Sequence, residues 1–135
     1  MKNLAIVWAG LLASSVAVAE NVENVDKMLC AAGDVQICYE NGECVAMTAW
    51  ELSMPEFVVI DTQEKTVSTT KASGENRSTP FGMVERSEGF IYLQGIENER
   101  LFSFVIEEFS GSLTVSVVRD GFSVTVFGVC TDTDL

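Results

Sequence analysis

The chain has 135 residues, with 20 Asp and Glu, eight Lys and Arg, four Cys and no His, giving a net charge of −12. That length suits one domain, and the missing imidazole excludes Ser-His-Asp and Cys-His catalysis, HExxH zinc sites and histidine general bases. The acidity argues against nucleic acid and against anionic lipid, both of which call for Lys and Arg at the contact.

Residues 1–19 read as a secretory signal peptide. Lys2 gives a positive start, Leu4 to Leu12 is almost wholly apolar, and Ala17-Val18-Ala19 is a small-x-small cleavage signal ahead of Glu20. The apolar run is too short for stable insertion in a bilayer. The expected product is a periplasmic or secreted protein cut after Ala19, with 20–135 as a single domain. It keeps 116 residues, with seven Lys and Arg against 20 Asp and Glu.

Its composition predicts an all-β fold. Val, Ile and Thr number 15, 5 and 10 after residue 19, against 11 Ala and Leu together. β-Branched side chains are stiff at χ1 and suit a pleated surface. In chain order, 20–29 and 46–53 have room for a short helical turn each. Cys38 to Cys44 reads as a hairpin around Glu40-Asn41-Gly42. Phe57 to Ile60 follows Pro55, a residue suited to a strand entrance because it cannot donate to a ladder. Thr66 to Thr70 is an expected exposed strand, Ala72 to Ser78 a mobile loop, and Phe81 to Val84 a strand begun after Pro80. Phe90-Ile91-Tyr92-Leu93 is apolar on both faces, and Ile96 to Arg100 is the expected turn after it. Phe102, Phe104 and Ile106 then alternate with Ser103 and Val105.

The C-terminal hairpin has the clearest pattern. Leu113, Val115, Val117, Phe122, Val124 and Val126 fall on one face, Ser and Thr on the other, and Asp120-Gly121 supplies a tight turn. Strands at roughly 8–12-residue spacing with short turns predict an antiparallel meander of about eight strands. The expected architecture is a small closed or nearly closed β-barrel, with a β-sandwich as the alternative.

An even number of cysteines in an exported chain reads as disulfides. Three pairings exist. A three-residue loop Glu40-Asn41-Gly42 places Cys38 directly opposite Cys44, while a two-residue loop sets them diagonally. The first arrangement pairs Cys38 with Cys44 and leaves Cys30 for Cys130, which is in phase with Phe122, Val124 and Val126. The spacings fit neither Cys-x-x-Cys redox chemistry nor a zinc site.

No catalytic residue, metal site or cofactor is predicted. Glu107 and Glu108 point to opposite faces of a strand. Glu85 and Glu88 read as surface beside Arg86, Glu97 and Glu99 as a solvated turn, and Asp132-Thr133-Asp134 as an acidic tail without the Gly and distal Glu of a calcium loop. Asp61, Glu97 and Glu107 are the carboxylates through which an enzyme would have to work. Trp50, Tyr92 and Gln94 are the candidate ligand contacts, and Arg77 and Arg100 the candidate grips for an anion or a partner.

Four segments carry a resemblance: Pro55 with Val59-Ile60-Asp61, Arg77-Ser78-Thr79-Pro80, Leu93-Gln94-Gly95-Ile96-Glu97-Asn98, and Phe127-Gly128-Val129-Cys130-Thr131. Through them the chain resembles small exported bacterial β proteins of unassigned function. The resemblance implies export and a compact β fold. More distantly, Ser110-Gly111 is similar to the Ser-Gly loop of the periplasmic inhibitors of c-type lysozyme, which carry a Tyr shortly after it where this chain has Leu113-Thr114-Val115. The expected function is therefore non-catalytic: binding of a small apolar ligand or docking on an envelope protein. The alternative is inhibition of a basic secreted enzyme such as lysozyme, toward which the acidity would steer the chain.

Overall fold

Alternating apolar and polar residues form ten antiparallel strands among the residues described in the computed structural model, which are Gly10 and 21–133. The predicted signal peptide, Gly10 apart, lies outside them, as does Asp134. In chain order the strands are β1 Lys27–Tyr39, β2 Cys44–Met47, β3 Phe57–Asp61, β4 Thr66–Thr69, β5 Ser78–Pro80, β6 Met83–Ser87, β7 Phe90–Glu97, β8 Arg100–Glu107, β9 Ser112–Arg119 and β10 Phe122–Asp132. All belong to one curled sheet, ordered β5-β4-β3-β1-β10-β9-β8-β7-β6, with β2 also pairing β1.

The first strand organises the sheet. One edge of β1 pairs β10 along nearly its whole length, from Met28 opposite Asp132 to Tyr39 opposite Phe122. Its other edge is shared, Lys27 to Ala31 pairing β3 and Val35 to Cys38 pairing β2. The change of partner falls at a bulge, where the β1–β10 register shifts between Ala32 and Asp34. Two glycines permit it. A Cβ on Gly128 would lie 2.1 Å from the Ala31 carbonyl oxygen, and one on Gly33 would lie 2.9 Å from that of Phe127.

Period-2 alternation places the core on the concave face. Leu93, Phe104, Val115, Val126 and Val35 form one row across five strands, each directly opposite the next. Met28, Ile60, Ile91, Leu93 and Ile106 are fully buried, each worth roughly 1.5–3 kcal/mol in apolar transfer. Phe81, Phe102 and Phe104 meet edge to face, with ring centroids 5.4 to 6.1 Å apart. One end of the core is covered by the segment before β1. Val22 is fully buried there, and its N–H donates to the Glu108 carbonyl at 2.7 Å. Arg86 fastens the same segment, donating to the Glu108 carboxylate at 2.8 Å and to the Val25 carbonyl.

The sheet is an open half-barrel rather than the closed or nearly closed barrel expected from sequence, and it has ten strands rather than about eight. Both differences arise in the same region. The expected strand from Phe81 to Val84 is broken: the Phe81 N–H donates back to Lys65, and the next N–H, of Gly82, donates forward to Gln94. The chain thus leaves one sheet edge and joins the other between two residues. Three-residue β5 ends at Pro80, which has no N–H for a ladder, so the seam between β5 and β7 is closed by side chains instead. Three-residue β5 escapes notice in the sequence because so short a run cannot display an alternation, whereas β2 is the second arm of the hairpin expected at Cys38 to Cys44.

The turns follow their residue chemistry. Gly42 adopts φ 90° at the end of the three-residue loop, and Cys38 lies opposite Cys44. Both disulfides form as expected from sequence, Cys38–Cys44 and Cys30–Cys130. At Asp120-Gly121 only the glycine takes a positive φ, 89°. A 3-10 turn spans Trp50–Leu52, within the expected 46–53, whereas 21–29, the described part of the expected 20–29, contains no helical turn and enters β1 at Lys27. The expected loop at 72–78 overlaps a second 3-10 turn, Lys71–Ser73, gives its last residue, Ser78, to β5, and is tied to β4: Thr69 Oγ1 donates to the Glu75 carbonyl at 2.6 Å and accepts from the Arg77 N–H at 3.1 Å.

Candidate functional site

Away from Val22, the concave face is incompletely filled. A cavity of about 180 Å³ lies between the sheet and the connection from β2 to β3. Its apolar wall comes from Phe102 and Phe104 of β8, Leu113, Val115 and Val117 of β9, and Val126 of β10. These residues point inward because the apolar phase of each strand matches its neighbour's, Phe102 standing opposite Val117 and Phe104 opposite Val115. The Cys30–Cys130 disulfide ties together the strands beside it, and Cys30 itself lines the cavity.

Gly95 helps to shape this space. It pairs with Phe102 across β7 and β8. A Cβ there would approach the Phe102 ring to 2.4 Å and the Pro80 carbonyl oxygen to 2.9 Å. The missing side chain therefore lets the ring lie against β7 and lets the β5 backbone come up to the seam.

The polar part of the lining comes from three directions. Glu56, beside Met54 and Pro55, borders one side, Ser68 and Thr69 with Arg77 and Thr79 a second, Glu97 and Arg100 a third. The Glu56 carbonyl is held by the Ala32 N–H at 2.8 Å, which docks the β2–β3 connection on the bulge. Across the seam, buried Thr79 donates its hydroxyl to Glu97 Oε2 at 2.7 Å, while Arg77 stands 3.9 Å from Oε1. The Arg77–Glu97 pair is half exposed and of the kind worth about 0–1 kcal/mol. Among the described residues the ion pairs are Arg77–Glu97 and Arg86–Glu108, so Arg100 has no carboxylate partner within 4.0 Å.

The predicted ligand contacts are not assembled here. Trp50 is 79% exposed on its 3-10 turn, in the same connection as Met54 to Glu56 but outside the lining. Tyr92 is on the convex face beside Phe90, ring centroids 6.2 Å apart. Gln94 is also on the convex face and is satisfied there, its Nε2 donating to Ser103 Oγ at 3.1 Å. Arg77 and Arg100 do reach the cavity. A signal for Arg100 is present in the sequence: it shares the phase of Phe102, Phe104 and Ile106. Glu97 likewise shares the phase of Ile91, Leu93 and Gly95.

The carboxylates do different work. Asp61 Oδ1 accepts the N–H groups of Gln63 at 3.0 Å and Glu64 at 2.9 Å and so holds the β3–β4 turn. Glu107 is on the convex side of β8 and Glu97 is at the cavity. Among the described residues no three metal-ligating side chains lie together, and no helix is long and apolar enough to cross a membrane. Ser110-Gly111 forms a tight turn in which the Gly111 N–H donates to Glu107 at 2.9 Å and the Gly111 carbonyl accepts from Cys130 at 2.7 Å. Comparison with protein-family models, with curated proteins and with solved structures finds no match to this chain.

Proposed function

We propose that the chain is an exported, non-catalytic binding protein that takes the apolar part of a small ligand into the cavity of its half-barrel. In this reading residues 1–19 direct export and are removed after Ala19, delivering the chain to the periplasm or the medium. The two disulfides are compatible with such an oxidising compartment. The observation that carries the reading is the cavity of about 180 Å³, walled by Phe102, Phe104, Val115 and Val126 and bordered by polar side chains.

Size limits the ligand. A dry cavity of about 150 Å³ lined by Leu, Ile and Phe takes up benzene, whereas drug-sized ligands use pockets of roughly 300–1,000 Å³. The space therefore suits one ring or one short chain, with the rest of the ligand outside. Titration of the disulfide-bonded chain with toluene, followed by amide and methyl NMR, tests this. Saturable shifts centred on Phe102, Val115 and Val126 are expected, and Val115→Phe, which fills the space, should abolish them. Absence of saturable shifts in the wild-type chain would refute the reading.

A further inference from the structure

We infer that the ligand is a monoanionic amphiphile: one ring or a chain of about six carbons in the cavity, with a carboxylate on the Arg100 guanidinium. The inference rests on the cavity being a binding site and adds the chemical class of what it binds. Four of the 135 residues are Arg, against 20 acids, yet two of the four line this one cavity. In a chain of net charge −12, these two guanidinium groups bring the lining beside the apolar wall up to neutrality.

The two arginines are not equivalent. Arg77 already faces Glu97, whose other oxygen is taken by Thr79. Arg100 has no carboxylate within 4.0 Å among the described residues, and it opens the β8 row that continues inward through Phe102 and Phe104. A ligand whose tail lies along those rings has its head beside Arg100. The guanidinium fork matches a carboxylate in two parallel hydrogen bonds, shorter and stronger than neutral ones. The charged lining residues Arg77, Arg100, Glu56 and Glu97 sum to zero. One added negative charge is matched by the unpaired Arg100; a second would meet only Glu97 and Glu56. The arrangement therefore favours a carboxylate over a phosphate monoester, and disfavours an amine.

The test compares four six-carbon probes on the disulfide-bonded chain by NMR titration: hexanoate, hexan-1-ol, hexylamine and hexyl phosphate. Hexanoate should bind about tenfold tighter than hexan-1-ol, and the ratio should shrink as salt is raised. Arg100→Gln, with its fold checked by its amide spectrum, should remove that ratio. Arg100→Lys should restore part of it, and Glu97→Gln should tighten hexanoate further. Equal binding of hexanoate and hexan-1-ol, tighter binding of hexylamine or hexyl phosphate, or a carboxylate preference that survives Arg100→Gln would overturn the inference while leaving the cavity a binding site. Failure of all four probes together with toluene would overturn both.

Discussion

The two disulfides join very different lengths of chain, and this sets their relative worth. Cys30 and Cys130 are 100 residues apart, Cys38 and Cys44 only six. Both lie at paired positions of ladders that hold their strands together, so the bonds act mainly by restricting the unfolded chain. Loop-closure entropy gives about 4.7 kcal/mol for a 100-residue loop and, by the same relation, about 2.2 kcal/mol for a six-residue one. The double variant Cys30→Ala/Cys130→Ala should therefore lose some 2.5 kcal/mol more than Cys38→Ala/Cys44→Ala. The gap should widen further because Cys30 and Cys130 are buried, whereas Cys44 is exposed. Urea unfolding at 25 °C, followed by circular dichroism and extrapolated linearly, measures both losses. The slope against urea should also rise in the first variant, whose unfolded state is released from a long loop, and stay near wild type in the second. Equal losses, or a larger loss from the hairpin pair, would refute the entropic account.

Other outcomes follow from single contacts. Gly128→Ala should cost roughly 1–3 kcal/mol, because its Cβ would stand 2.1 Å from the Ala31 carbonyl oxygen. Gly82→Ala, whose added Cβ would lie 3.9 Å from the Gln94 carbonyl oxygen, is the control; denaturant midpoints compare them. Arg86→Ala should leave global stability within about 1 kcal/mol but speed hydrogen exchange at the Val22 amide about tenfold, since Arg86 ties down the segment that carries it. Trp50→Phe should change stability by less than about 0.5 kcal/mol and leave the toluene titration unaltered, because the indole stands outside the cavity lining.

The parts of the fold legible in the sequence are those governed by local rules. Alternation from Leu113 to Val126 located a hairpin and its inward face, and Gly42 located the loop that sets Cys38 against Cys44. The phase of Cys130 pointed it at the core and so at Cys30. The seam was not legible. It depends on Pro80 ending β5, on Gly82 reaching Gln94 and on Gly95 making room for Phe102, and these are encounters between segments that no local pattern encodes. The cavity was half legible. Its apolar wall is the inward phase already identified, whereas the count of unfilled space depends on how far the sheet curls. Trp50, Tyr92 and Gln94 stand out in the sequence by residue type, and type carries no information on which face a side chain occupies. Strand phase does carry it, and it turns Arg100 and Glu97 toward the cavity.

The pairing of β1 with β10 also governs how the chain must be assembled. The earliest strand made is completed only by the latest, so the central ladder has a very high contact order and forms slowly. During synthesis at about 5–20 residues per second, β1 waits seconds for its partner to leave the ribosome. Throughout that interval a 13-residue strand keeps one edge open to neighbouring nascent chains. A premature stop before residue 122 leaves this edge permanently unsatisfied, so truncated products should aggregate rather than persist as smaller folded sheets.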